Sequence, residues 1–439
     1  MDQSSEITQN ILESYAPNRY YAVNRLELVI VKVLVIGAGG VGSSIANIAS
    51  RREFLTSMVL ADRNLNQATA AVDRLKDPRF TAVQVDASSV ESLRTLIKTT
   101  APDLVINSVD PRFVMPIFIA CEEEGANYLD MAMSLTTPHP TDPFNKTGVK
   151  FGDDQFARAD AWKKNYALLG LGIEPGLSNI FARYASDELF SRIDVMNVMD
   201  GSNLEVAGYE FAPSFSIWTT IEECLNPPVM WEKSRGWYTT QPFSGAETFN
   251  FPEGIGPVEC VNVEHEEVIL IPKYIDVGQV AFKFGLGDKF IGILKSIHSL
   301  GLDSTNPVAI PGGNGASISP RDFLAAILPN PAKLGPLMTG KTCAGLLVKG
   351  LDKSGKPKAV YLYHVVDNAV TMAEYGDQAV VWQTAINPVI AMELIHEGIW
   401  KPTGVNGPEM NPPLPFLAKL IEYGSPWGVR EDSISEINA

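Results

Sequence analysis

The sequence predicts an α/β protein: a doubly wound parallel sheet joined to a second part of α+β character. Three observations carry this. Buried-strand patterns alternate with amphipathic helices between Val31 and Ala132, a glycine-rich turn separates the first strand from the first helix, and after Ala132 the alternation gives way to long strand-like runs with Gly- and Pro-rich turns.

In order along the chain, residues 1–30 form an N-terminal extension, in which 7–15 is either a short helix or a loose arm. Residues 1–27 are polar and contain acids, unlike a secretory signal. VKVLVI then reads as a buried strand, followed by a glycine turn and a helix. Strands are expected at 58–64, 80–87, 103–110 and 126–132, with helices between them; Val90, Leu93, Leu96 and Ile97 share one face of VESLRTLIKTT. Beyond a Pro- and Thr-rich loop, 155–165 reads as a helix and YALLGLGIEPGLSN as strand, turn and helix start. Between 193 and 363 the strands are IDVMNVMDG, VECVNVEHEEVILI, VAFKFGLG and KAVYLYHVVD, with helical patches at 288–300 and 322–328. The chain turns helical again at 378–397 and 415–423.

The 439 residues carry 35 Lys and Arg against 51 Asp and Glu, a net charge of −16. That charge argues against nucleic acid or an anionic membrane as partner. No apolar run is long enough to span a bilayer. Four scattered cysteines without a C-x-x-C pair suggest reduced thiols and a cytoplasmic protein. Five unpaired histidines predict no metal site, and no G-x-S-x-G elbow supports a hydrolase.

Gly37-Ala38-Gly39-Gly40-Val41-Gly42 matches G-x-G-x-x-G, the dinucleotide fingerprint of a Rossmann domain. Gly37 permits the tight turn, Gly39 lets backbone approach a pyrophosphate, and Gly42 allows close helix–strand packing. Gly40 and Val41 open the helix, whose N-terminus favours phosphate. Asp62 ends the second strand where an acid would bond a ribose 2′-hydroxyl, so NAD is favoured over NADP, although Arg63 beside it could hold a 2′-phosphate. Topology adds Asp86 and Ala87 near the adenine, and Asn107, Ser108 and Val109 near the nicotinamide ribose. The competing readings are a plain strand–helix turn for the glycines and a helix-start acid for Asp86.

Three places offer proton chemistry. Asp130 ends the fifth strand beside the cofactor cleft, where it would bind an ammonium, relay a proton, or cap the next segment. Glu174 lies in Gly172-Ile173-Glu174-Pro175-Gly176-Leu177-Ser178-Asn179, a turn into a helix start that would cradle a ligand or simply be capped by Ser178 or Asn179. In Glu264-His265-Glu266-Glu267, a strand would set His265 and Glu267 on one side, as a tuned base or as a solvated edge. The expected catalytic order is Asp130, Glu174, His265.

Taken together, VLVIGAGGVG, DLVINSVDP, NYLDMA, GLGIEPGLSNIFA, VEHEEVILIPKYI, GKTCAGLLVKG, YLYHVVDN, QAVVWQTAINPVIAMELI and GSPWGVRE resemble the saccharopine dehydrogenase-like family. The likeness runs from about residue 31 to 430 and is strongest to the branch holding carboxynorspermidine dehydrogenase and lysine 6-dehydrogenase. It implies a Rossmann domain over 31–132 and 376–439, completed by the returning C-terminal segment. It implies a substrate-binding and dimerisation domain over 133–375, and hence a homodimer. The implied chemistry is hydride transfer at a carbon bearing nitrogen. Two positions depart from the family pattern: Glu174 stands where Asp or Cys often precedes Pro-Gly, and Asn368 follows Asp367 where two acids often occur.

The resulting expectation is an NAD(P)-dependent oxidoreductase acting on the C–N bond of a small-molecule amine, either amino-acid-like or polyamine-like. Arg183 or Lys273 would meet a substrate carboxylate. The alternatives are a redox-neutral polyamine synthase that recycles bound NAD, and a non-catalytic dinucleotide sensor suggested by the two departures.

Overall fold

A computed structural model describes residues 31–432; the expected extension over 1–30, with its possible helix at 7–15, and residues 433–439 lie outside it. The first sheet contains β1 (Val31–Ile36), β2 (Leu55–Asp62), β3 (Phe80–Gln84), β4 (Leu104–Asn107), β5 (Asn127–Asp130) and β6 (Tyr166–Leu168), plus Gly404–Asn406 at its edge. All pairs are parallel, and β3-β2-β1-β4-β5-β6 is the Rossmann order. Val33 to Ile36 are all buried, as a strand covered by helices on both faces requires. Asn64 and Ser89 cap the helices Leu65–Leu75 and Val90–Thr100, accepting from the backbone N–H groups of Asn66 and Ser92. Strand order reverses between β1 and β4, which opens a crevice at the C-terminal strand ends.

The sheet does not end at the expected boundary after Ala132, because β6 and Gly404–Asn406 extend it. The helix expected over 155–165 is reduced to Asp153–Phe156 and a single turn at Ala159–Ala161. The chain leaves helical geometry so that Trp162 can enter the core, where its ring centre lies 4.7 Å from that of Phe118.

The second sheet has nine strands and is mixed. Phe190–Ser202 pairs antiparallel with Lys341–Asp352 and parallel with Gln279–Gly285, while Pro357–Asp367 continues the antiparallel side. Gly428–Glu431, expected with the first domain, pairs with Pro357–Asp367 here. The run read as one strand, VECVNVEHEEVILI, divides into strand Gly256–Asn262 and helix Glu267–Tyr274. Val268 to Ile271 are all buried, and an apolar run packed on every side carries no period that separates strand from helix.

Helix Ala379–His396 is buried along most of its length and packs against helix Gly40–Ser50. A Cβ built on Gly40 would meet Val381 at 3.2 Å. This helix and Gly404–Asn406 thus join the first sheet's side, while Gly428–Glu431 joins the second sheet. Among the described residues, no helix is long and apolar enough to cross a membrane.

Candidate active site

The glycine turn shows why its residues are small. Gly37 has φ +104°, and a Cβ there would fall 2.6 Å from Val109; a Cβ on Gly42 would fall 1.9 Å from the Gly37 carbonyl oxygen. Gly39 differs: nothing but the Gln67 amide comes within 4 Å of a Cβ placed there, at 3.9 Å. That opening, beside a helix start with no side-chain cap, fits a dinucleotide pyrophosphate. Asp62 lies at the end of β2, where Oδ2 accepts from the Ala38 N–H at 2.9 Å and Oδ1 from the Asn64 N–H at 2.9 Å. Arg63 borders a shallow recess with Asn64, Leu65, Asn66 and Gln84. Asp86 instead binds the Ser88 amide and hydroxyl, and neither it nor Ala87 lines the main cavity.

That cavity, of about 380 Å³, spans the space between the two sheets. Gly40, Val41, Asn107, Ser108 and Val109 line its first-sheet wall. The turn Asn330–Ala332 closes over the helix start, with Ala332 3.0 Å from a Cβ built on Gly40. Five carboxyl side chains line the cavity, from Asp110, Glu174, Asp200, Glu223 and Glu266, and no Lys or Arg does.

His265 is the one histidine in that lining. Its Nδ1 lies 2.5 Å from Glu267 Oε2 and 3.3 Å from Glu266 Oε2, while Nε2 lies 4.0 Å from Glu223. Burial opposes a charge on the ring, but the carboxylates of Glu267, Glu266 and Glu223 outweigh it and raise its pKa to about 10. Burial raises Asp200 to about 7 and Glu223 to about 8, with the other acids adding to it and His265 acting against it. The nearest atoms of His265, Glu266 and Glu267 also fall within 4.8 Å of one another, a spacing compatible with a metal ion, but here Nδ1 is engaged by Glu267. None of the four residues Glu264 to Glu267 is a solvated edge, since all are buried.

Glu174 reaches the cavity from the turn, and its Oε1 accepts from the Ser178 hydroxyl. Asn179 Oδ1 accepts from the Gly176 N–H at 2.9 Å, securing the start of helix Leu177–Tyr184. Asp130 is fully buried and does not line the cavity; it accepts from Gly170 N–H at 2.6 Å and Gln155 Nε2 at 2.8 Å. Burial raises its pKa to about 7. Arg183 pairs with Asp187, and Lys273 lies over the Phe156 ring, so neither expected carboxylate partner faces the cavity. Asn368 is structural: Nδ2 donates to Gly335 and Met338 carbonyls and Oδ1 accepts from the Ala379 N–H.

Asp200, Glu223 and the turn Asn330–Ala332 were not foreseen. Asp200 had only a weak signal, an acid after the apolar pair Val198-Met199 near a strand end. Glu223 and Asn330 had none, because only the tertiary fold brings them to the cleft.

The model of the saccharopine dehydrogenase NADP binding domain matches residues 33–169, and that of the saccharopine dehydrogenase C-terminal domain matches 172–425. The chain is similar to carboxynorspermidine synthase from Vibrio alginolyticus, at 30% identity over 91% of this chain and 97% of that one. It is similar to carboxyaminopropylagmatine dehydrogenase from Synechocystis sp., at 31% identity over 90% and 96%. The solved saccharopine dehydrogenase (L-Glu forming) from Saccharomyces cerevisiae has the same fold, with a TM-score of 0.63 and 14% identity over 92% of this chain and all of that one.

Proposed function

The chain belongs to the saccharopine dehydrogenase family and is an oxidoreductase using a nicotinamide dinucleotide at a carbon–nitrogen bond; we propose that its substrate is a polyamine-like amine carrying at least two ammonium groups. One observation carries the proposal: five carboxyl groups line the cavity, and of these, among the described residues, only Asp110 is paired with an arginine, Arg112. Burial makes these carboxyl groups costly to ionise, as their raised pKa values record, and a diammonium chain bound among them would stabilise their anions. The relatives' names, which refer to carboxynorspermidine and carboxyaminopropylagmatine, support the same substrate class. The two alternative readings are not favoured, and the role of Asn368 removes one of the two departures behind the sensor reading.

The dinucleotide, when bound, supplies or accepts the hydride. Gly37, Gly39, Gly40, Val41 and Gly42 hold its pyrophosphate, and Asn107, Ser108 and Val109 border the nicotinamide end. Asp62 favours NAD over NADP, with Arg63 as the competing influence; Asp86 and Ala87 lie farther out toward the adenine. His265 moves the proton at the reacting centre, giving it to the departing oxygen during condensation or taking it back in the reverse direction. Glu174 binds an ammonium. Asp130 comes last, holding the Gly170 loop and relaying protons only through its neighbours.

The proposal extends to a homodimer in the cytoplasm. Six large apolar side chains stand exposed between Leu300 and Leu337, and all four cysteines are unpaired. Light scattering on the purified chain reads the oligomer directly.

The deciding experiment follows nicotinamide absorbance with diamines, lysine, saccharopine and imines of carboxylated polyamines, each with NADH and NADPH. Turnover is expected to be fastest with substrates of at least two ammonium groups. No turnover with any amine or imine overturns the reading, and a much tighter NADPH site overturns the NAD preference.

A further inference from the structure

His265, Glu267 and Glu174 form a connected, buried series of titratable groups running back from the cavity. They come from two segments distant in sequence: the turn before helix Leu177–Tyr184, and the entry to helix Glu267–Tyr274. Glu267 Oε2 faces the imidazole at 2.5 Å. Its other oxygen, Oε1, and Glu174 Oε2 are buried without any hydroxyl, amide or cationic donor. The two carboxyl side chains interact directly with each other. Two carboxyl groups that interact directly in a buried site do not both ionise.

We propose that Glu174 and Glu267 hold one proton between them, and that this pair sets the proton affinity of His265. The inference rests on the proposed amine chemistry for its purpose, but not for its test. In the reductive direction, amine and aldehyde combine to a carbinolamine. Its hydroxyl takes a proton from His265 Nε2, the C–O bond breaks, and water leaves with the bonding pair. The reduced nicotinamide, when bound, would supply the hydride to the C=N carbon, and His265 regains its proton from solvent after product release. The Glu174–Glu267 proton shifts between the two carboxyls and is not consumed. It leaves Nδ1 facing one negative charge instead of two, so that the imidazolium can still release its proton.

Other groups also act on this series. Glu223, Glu266 and Asp200 act on His265, with Phe282 stacked on its ring. Glu409 and Asp200 act on the carboxyl pair, with Ser178 bonded to Glu174.

The test uses the resting full-length protein, without substrate. Infrared difference spectra at neutral pH compare the unmodified chain with Glu174→Gln, and histidine-labelled NMR titrations compare it with Glu267→Gln. The first difference is expected to show loss of one protonated-carboxyl carbonyl band. The second is expected to show the His265 titration moving down by about one pH unit or more, the usual influence of an adjacent opposite charge. Glu267→Asp, which keeps the anion, is expected to restore most of that shift. Thermal melts identify any variant that fails to fold, and Glu267→Asp then carries the comparison. No missing band, or an unmoved His265 titration, overturns the proposal. Absence of turnover with every amine would overturn the proposed substrate instead, and leaves these two readouts standing.

Discussion

The imidazole of His265 lies flat against the ring of Phe282, with centroids 3.9 Å apart and planes within 9° of parallel. Stacking fixes the ring plane, and Glu267 then fixes which nitrogen faces inward. Replacing Phe282 with Leu keeps the apolar volume but frees the ring to rotate. We expect kcat to fall about tenfold, whereas His265→Asn lowers it by roughly 10² to 10⁴, the usual contribution of a positioned acid–base group. Steady-state kinetics on both variants checks this, and equal losses would refute a positioning role for Phe282.

Stability should fall as pH rises from the acid range through about 8 as the buried acids ionise, and on toward about 10 through His265. Burial raises Asp130, Asp200 and Glu409 to about 7 and Glu223 and Glu264 to about 8, so the folded chain binds protons that the unfolded chain, with values of about 4, has already released. More protons in the native state make the slope of stability against pH negative over that interval. His265 adds to the trend: its contribution is complete below 6.5 and is lost as pH climbs toward about 10. His364 opposes it on the acid side, because burial lowers its pKa to about 4, so protonation of the unfolded chain costs stability as pH drops from 6.5. Thermal melts between about pH 7 and 9 should therefore show a declining Tm. A diamine that occupies the cavity should flatten that decline.

Gly39→Ala and Gly42→Ala should separate binding from folding. The first places a methyl group in open space at an ordinary backbone angle, φ −70°. Its Tm should stay unchanged while NADH affinity is lost, because the methyl takes the room of the pyrophosphate. The second drives a methyl to 1.9 Å from the Gly37 carbonyl and should cost about 1–3 kcal/mol or more in stability. Fluorescence titration with NADH beside a melt distinguishes the two.

Asn368→Asp should destabilise without touching chemistry. The change turns a donor to two carbonyl oxygens, at 3.0 Å and 2.7 Å, into an acceptor facing them. Leaving those buried groups unpaired costs about 1–3 kcal/mol each. Tm should drop while KM for the amine holds, and a changed KM would return this position to the substrate site.

The first sheet was legible because its strands carry apolar runs such as Val33–Ile36, its turn is glycine-rich, and Asn64 and Ser89 mark helix starts by their own chemistry. The strand Tyr166–Leu168 was legible as a strand but not as a member of this sheet, and Gly404–Asn406 was not legible, since three residues hold too little pattern to separate from loop. At the site, Glu174 announced itself in a Pro-Gly turn and His265 as an imidazole flanked by acids, although in a run read as strand. Asp130 looked equally promising, yet both its oxygens are engaged by Gln155 and Gly170, a fact no local pattern records. Asp200 and Glu223 became visible only once the second sheet had brought a strand end and a helix face to one cavity wall.

Gly404–Asn406 pairs with Tyr166–Leu168, and all strands of the second sheet but Gly428–Glu431 lie between them in the chain. During synthesis, the nucleotide-binding layer therefore waits with an open edge until almost all of the chain has emerged. An unpaired parallel edge is a template for foreign strands. A ribosome stalled within the second sheet would hold a sticky intermediate, and splitting the gene at the apparent boundary would make that intermediate permanent.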